Sequence, residues 1–275
     1  MITYTTDLLK NIEVRVDQKE FKDGAIGINI NPMPSNEDLI TTTVSVTARI
    51  STPADQMSLF FTTDALRRKY PLAKFFLNMY YLPYARQDRV CNEGESHNLK
   101  VFCQMVNNLK YDLVQVADPH SSVATALLDN IVVLDQYEIF RGIKQSFREW
   151  TIVAPDNGAN KKCEEFAKRV GAAGVITFSK TREMSTGEIT SLKPNQEINP
   201  NGNYLVLDDL CDGGRTFIEL AKYFSKTDCR VELAITHGIF SYGVEIVASE
   251  FDHVYTTDSF RTDLESSKDI TVIKL

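Results

Sequence analysis

An α/β fold built from two mostly parallel sheets flanked by helices is what this sequence predicts. Three observations predict it. Short apolar runs of strand length alternate with segments whose apolar residues recur every three to four positions. Several of those runs are almost continuously apolar, as strands buried on both faces are. The alternation also occurs twice along 275 residues, a length that accommodates two medium domains. The expected domains are 1–140 and 141–275, with the join falling near 135–150.

In the first half, "TTTVSVTARI" (41–50), "AKFFLNMYYL" (73–82) and "YDLVQVAD" (111–118) read as strands. Helical spacing marks 55–70 and 96–109 between them. The second half follows the same plan with "WTIVAPD" (150–156), "AAGVITFS" (172–179), "NYLVLDD" (203–209), "VELAITHG" (231–238) and "HVYTTD" (253–258). Its helical segments are 158–170 and 214–225. Residues 180–202 are polar, carry two prolines and show no apolar period, so they are expected to form a long loop, either functional or disordered.

Composition excludes several function classes. A net charge of −7 argues against a nucleic-acid binder, whose phosphate contacts require a basic surface. The five cysteines are scattered, odd in number and without a CxxC pair, which speaks for reduced thiols in place of disulfides or zinc. No run is long enough to span a bilayer, and residues 1–16 lack the pattern of a signal peptide. The expected compartment is the cytoplasm.

In open α/β sheets ligands gather beyond the carboxyl ends of the strands. Five of the runs end there in charge: "PYARQDR", "DPH", "PDNG", "SKTR" and "DDLCDGGRT". Arg86, Arg89, Lys180, Arg182 and Arg215 are suited to phosphates. His120, Asp156, Asp208, Asp209 and Asp212 are suited to a magnesium–phosphate complex or to sugar hydroxyls. Cations and oxygen ligands without a serine or cysteine nucleophile elbow point to phosphoryl transfer, which depends on positioning and charge neutralisation. Gly213 and Gly214 can turn successive amides toward one anion, Thr216 adds a hydroxyl, and a helix beginning there presents its N-terminus. Asp208 and Asp209 beside that cradle can accept from a vicinal diol, which describes a ribose 5-phosphate site. There is no Walker P-loop and no GxGxxG fingerprint.

These motifs resemble those of the ribose-phosphate diphosphokinases, the phosphoribosyl pyrophosphate synthetases. "LPYARQDR" (82–89) is similar to their hallmark, and "VLDDLCDGGRT" (206–216) to the loop they share with type I phosphoribosyltransferases. "FKDG" (21–24), "DALRR" (64–68), "DPH" (118–120), "VAPDNG" (153–158), "KTR" (180–182) and "THGIFS" (236–241) fall in the same order. The resemblance implies two phosphoribosyltransferase-like domains, an ATP side first and a sugar-phosphate side second. It implies transfer of the β,γ-diphosphoryl group of ATP to the anomeric hydroxyl of ribose 5-phosphate, with AMP leaving and magnesium required. Carried over, Arg86, Gln87 and Arg89 bind ATP, and His120 and Asp156 help hold magnesium. Lys180 and Arg182 close over the transferring group as catalytic residues. Asp208, Asp209, Asp212, Gly213, Gly214, Arg215 and Thr216 hold the acceptor. Phe21 and Asp23 match a loop that reaches the ATP of a neighbouring subunit, which implies a homo-oligomer.

Arg215 stands where the family's loop has glycine, which admits an acceptor with more than a monophosphate, such as ADP-ribose. A phosphoribosyltransferase and a catalytically silent homologue are further readings. The ATP-side motifs speak against the first, and retention of His120, Asp156, Lys180 and Arg182 against the second. Other residues are expected to be structural: the cations of "DALRR", and Cys211, which has no base at readable spacing. His237 is divided between site and structure, and His97 and His253 are expected at the surface.

Overall fold

A computed structural model describes residues 1–7, 13–30, 42–182 and 189–275, with side chains described outside 180–191. The chain divides into two compact units, Met1–Leu134 and Asp135–Leu275.

The first unit contains β1 (Ile2–Thr6), β2 (Val14–Arg15), β3 (Asp17–Glu20), β4 (Ile26–Asn29), β5 (Thr43–Ala48), α1 (Pro53–Lys69), β6 (Lys74–Asn78), α2 (Asn98–Asn107), β7 (Leu113–Ala117), α3 (Val123–Leu127) and β8 (Ile131–Leu134). Six strands form one sheet in the order β2-β1-β5-β6-β7-β8, and β3 pairs with β4 in a separate hairpin. β5 to β8 run parallel, whereas β1 is antiparallel to both its neighbours. α1 starts on a capping box in which Thr52 and Asp55 satisfy each other's backbone amides, with Pro53 at its first position. It ends on Arg67, Arg68 and Lys69, where cations suit the helix dipole. Arg67 donates to the carbonyls of Leu109 and Lys110 at 2.8 and 2.7 Å, and Arg68 pairs with Asp64. "DALRR" is therefore structural, as expected.

The second unit contains α4 (Gln136–Phe140), β9 (Trp150–Ala154), α5 (Asn160–Val170), β10 (Gly174–Arg182), β11 (Ile189–Pro194), β12 (Asn203–Cys211), α6 (Arg215–Phe224), β13 (Arg230–Gly238), α7 (Val244–Ala248), β14 (His253–Thr257) and β15 (Ile270–Ile273). Its sheet has the order β11-β10-β9-β12-β13-β14-β15 and is parallel except for the β10–β11 pair. The middle strands bury both faces, with Ile152, Val153, Leu205, Val206, Leu233 and Ile235 at 3% exposure or less. Phe217, Leu220 and Phe224 on α6 pack against this sheet, which makes α6 strongly amphipathic. Near the amino ends of the strands, fully buried Glu232 is ion-paired with Lys144 and with Arg230, the latter at 2.8 Å. The Lys144 ammonium also donates to the Tyr255 hydroxyl at 3.0 Å and lies 4.4 Å from the Trp150 ring centre.

Two expectations need correction. The segment 180–202 is not one long loop: β10 continues to Arg182, and β11 returns antiparallel to it, Phe178 opposite Pro194 and Lys180 opposite Leu192. An antiparallel edge hairpin needs no continuous apolar run, so its polar sequence concealed the strands. Residues 183–188, between them, lie outside the described residues. His97 and His253 are half-buried and not surface groups. His253 Nε2 lies 2.8 Å from the Thr271 hydroxyl and its ring 4.6 Å from that of Tyr255.

Candidate active site

The strand order of the second unit reverses at one place. From β9 the chain steps to β10 on one side, then returns through β12 on the other. Such a reversal opens a crevice at the carboxyl ends of the two strands. The pairing widens it: β9 accompanies β12 only as far as Val153 opposite Val206, whereas β13 follows β12 to Gly238 opposite Cys211. Asp208 and Asp209 are thus not the end of their strand. They lie within it, on the stretch that has outrun β9.

Asp156 follows β9 at the same crevice. Its Oδ1 accepts from the amides of Gly158 at 2.9 Å and Ala159 at 3.2 Å. A Cβ on Gly158 would sit 3.1 Å from that oxygen, so glycine permits the fold-back. The Asp209 amide donates to Asp208 Oδ1 at 2.9 Å. Burial, and then the charges of Asp209 and Asp156, push Asp208 well above the usual carboxylate range. The structure therefore brings Asp156, Asp208 and Asp209 into one electrostatic neighbourhood, which hydroxyl donors or a cation would relieve.

Beyond Cys211 the chain makes the predicted glycine turn. Gly214 has φ +77°, and a Cβ there would lie 2.5 Å from Val247 Cγ2, so both backbone and packing demand glycine. α6 begins at Arg215 with no side-chain cap and no acidic residue in its first turn. Its positive end is thus left for an anion. Arg215 is exposed at that first position, and Thr216 follows half-buried.

The turn is held by residues that sequence reasoning only partly found. Ile239 and Phe240 donate their amides to the Cys211 carbonyl at 2.9 and 3.2 Å. The Ser241 amide donates to the Asp212 carbonyl at 3.2 Å, and its hydroxyl to the Asp212 carboxylate. Phe240, 1% exposed with φ +49°, anchors this clasp. "THGIFS" is therefore the brace of the glycine turn. Its His237 is 3% exposed, with Nδ1 2.8 Å from the Ser259 hydroxyl, which accounts for it as a structural group. Cys211 is fully buried and its thiol is pushed up to about 12 by burial and by Asp208 and Asp212, so it is no nucleophile.

In the first unit, Arg86, Gln87 and Arg89 line a cleft of about 460 Å³ together with Cys91, Glu95 and Asn98. Tyr84 enters this loop with φ +63°, its hydroxyl accepting from Gln56 Nε2 at 2.9 Å and its ring centre 5.5 Å from that of Phe102. Gln87 accepts from Asn98 at the start of α2. Asp88, absent from the predicted site, joins two motifs: it binds Arg89 at 2.7 Å and accepts from Ser121 at 2.6 Å. Hydrogen bonding to Arg89 first, then to Ser121, with the charges of Arg89 and His120, brings Asp88 down to about 2 against the effect of burial. His120 is exposed beside it. The "YARQDR" and "DPH" strand ends therefore meet at Asp88.

Phe21 and Asp23 sit at the β3–β4 hairpin, in a turn closed by the Gly24 amide on the Phe21 carbonyl and the Ala25 amide on Asp23. Phe21 is 48% exposed. Lys180 and Arg182 fall on β10 by their backbone, and their side chains lie outside the described residues.

Among the described residues, no three His, Cys, Asp or Glu side chains are grouped to hold a metal ion. His120 belongs to the first unit and Asp156 to the second. Asp156 offers carboxylate oxygens of the kind magnesium takes, whereas His120 offers an exposed ring nitrogen.

No family model matches the sequence. The ribose-phosphate pyrophosphokinase of Mycoplasmopsis pulmonis is 27% identical over 252 residues, 89% of this chain and 76% of that one. That of Pyrococcus furiosus is 29% identical over 203 residues, covering 72% and 71%. The phosphoribosylpyrophosphate synthetase of Mycobacterium smegmatis superposes with a TM-score of 0.76 at 18% identity, over 95% of this chain and 86% of that one. The chain belongs to the ribose-phosphate pyrophosphokinase family. The fold is likewise the family's, two mostly parallel sheets flanked by helices, and the chain is a transferase of that kind. Among the described residues no helix is long and apolar enough to cross a membrane.

Proposed function

We propose that the chain transfers the β,γ-diphosphoryl group of ATP to the anomeric hydroxyl of ribose 5-phosphate. The observation that carries this is the glycine turn of 212–214 at the start of α6, beside carboxylates at a strand-order reversal. The turn amides and the α6 N-terminus take the 5-phosphate, and Asp208 and Asp209 accept from the ring hydroxyls. Arg86, Gln87 and Arg89 bind the triphosphate. The new bond forms between the anomeric oxygen and the β-phosphorus. The bond from that phosphorus to the α,β-bridging oxygen breaks, AMP leaves with the electron pair, and the hydroxyl proton is released. Lys180 and Arg182 stabilise the charge on the transferring group. Magnesium, when bound, would neutralise phosphate charge; His120 on the first unit and Asp156 on the second are its proposed supports.

The relatives' shared name favours ribose 5-phosphate over ADP-ribose, and diphosphoryl transfer over the transferase and silent readings. The match of Phe21 and Asp23 to a loop that reaches a neighbouring subunit supports a homo-oligomer, for which sedimentation is the check. The decisive assay follows AMP release from magnesium–ATP with ribose 5-phosphate. No AMP overturns the proposal, and Lys180→Ala is expected to slow release by about 10²-fold or more.

A further inference from the structure

One large side chain at the glycine turn has no part in the reading above. Tyr242 is 75% exposed, yet its ring edge lies where a Cβ on Gly213 would fall, with Cε2 3.0 Å and Cδ2 3.3 Å from that point. Gly214 needs glycine for its backbone as well as its packing, whereas Gly213 has ordinary φ and is crowded by Tyr242 alone.

The backbone that carries the ring is fixed from below. Residues 239–241 are clasped to 211–212 by three backbone hydrogen bonds and by the Ser241 hydroxyl on Asp212. On the other side Gly243, with φ +97°, donates to the Phe240 carbonyl at 2.9 Å and opens α7. A tyrosine held this way gains little from its own burial. What it does is cover the side of Gly213 on which a side chain would lie. Amides shielded from water bind an anion more strongly, because the local dielectric is lower and the donors cannot turn away.

We propose that Tyr242 is a positioning residue for the acceptor: its ring walls the 213–214 cradle and fixes the amides that hold the 5-phosphate. This rests on the assignment of that cradle to ribose 5-phosphate. The ring does the work and the hydroxyl is incidental.

The test compares Tyr242→Ala and Tyr242→Phe with the wild type. AMP release gives KM for each substrate and kcat, and calorimetry gives ribose 5-phosphate binding without ATP. Tyr242→Ala is expected to raise KM and the dissociation constant for ribose 5-phosphate by about tenfold, with KM for ATP and kcat within about twofold. Tyr242→Phe restores wild-type values. Melting temperatures check that an exposed position leaves folding intact.

A double-mutant cycle adds a second arm. Gly213→Ala should weaken ribose 5-phosphate binding more in the wild type than in Tyr242→Ala, because the clash has been removed. Unchanged ribose 5-phosphate binding in Tyr242→Ala overturns the proposal, as does a Phe variant that behaves like Ala, or additivity in the cycle. A wild type that binds ribose 5-phosphate but releases no AMP overturns the proposed reaction and leaves the Tyr242 test standing. A wild type that binds none overturns both.

Discussion

The two units share a plan and differ in how their sheets advance. In the first, β5, β6, β7 and β8 follow one another across the sheet in a single direction. In the second, the chain goes from β9 to β10 and then comes back through β12. Only the second arrangement parts two neighbouring crossovers and leaves a crevice between strand ends. Strand length follows suit: β10, β12 and β13 have nine residues each, whereas the longest strand of the first unit, β5, has six. The second unit therefore presents backbone amides and carboxylates from the sheet itself. The first builds its cleft from side chains of one loop, 84–98, tied to the next strand end by Asp88. A diphosphoryl transfer has one substrate that is mostly phosphate charge and one that must be aligned at a single hydroxyl. A flexible set of arginines suits the former and a rigid cradle suits the latter.

That contrast breaks if changes on one side are felt on the other. Gly214→Ala carries the largest expected effect, since it puts a side chain into a left-handed position against Val247. Ribose 5-phosphate-dependent AMP release should fall by about 10³-fold through displaced amide donors, with ATP binding to the protein unchanged by calorimetry. A parallel loss of ATP binding would show that the two sides are not independent.

Glu232→Gln probes the opposite end of the same sheet. Removing one charge of a buried cluster leaves Lys144 and Arg230 poorly matched and should cost about 3 kcal/mol, read as a lower denaturation midpoint. Activity well below the transition should remain, which would separate the unit's stability from its site. A smaller effect is expected in the first unit. Arg89→Ala should raise KM for ATP by about tenfold and leave KM for ribose 5-phosphate alone.

The mildest prediction concerns pH. Asp88 has a folded-state value of about 2, below that of an unfolded aspartate at about 3.9. Its contribution to stability is therefore complete above the unfolded value and disappears as pH falls through the folded one. The stability gap between wild type and Asp88→Asn should be constant down to about pH 5 and close between about pH 4 and 2. A gap that widened on acidification would contradict the ion pair with Arg89.

Much of this is legible in the sequence. The buried strands of both sheets announce themselves as apolar runs, and the charged residues that follow them mark the site. β11 and the end of β10 beyond Ser179 gave no comparable signal, because their sequence is polar and an antiparallel edge pair needs no continuous apolar run. The overrun of β12 past β9 was also hidden, since Asp208 and Asp209 look like an ending when only local sequence is read. The brace was visible as a motif but not as a contact. Ser241 and Asp212 are 29 positions apart, and no local period records which distant residue a turn will lean on. Asp88 was overlooked for the opposite reason, as an acid among arginines in a motif read for its cations.

The thiol beneath the glycine turn offers a clock. Cys211 is fully buried and held protonated, while Cys91 is exposed on the first unit. An alkylating reagent should therefore consume Cys91 at once and reach Cys211 only when the Cys211–Ser241 clasp opens. Because Cys103 and Cys163 are also buried and Cys229 half-buried, the rate is read at Cys211 itself by peptide mapping, and it then measures how often the cradle unfastens. Ribose 5-phosphate should lengthen that interval and ATP should not. The breathing of one loop can be timed in this way by a thiol the chain already carries.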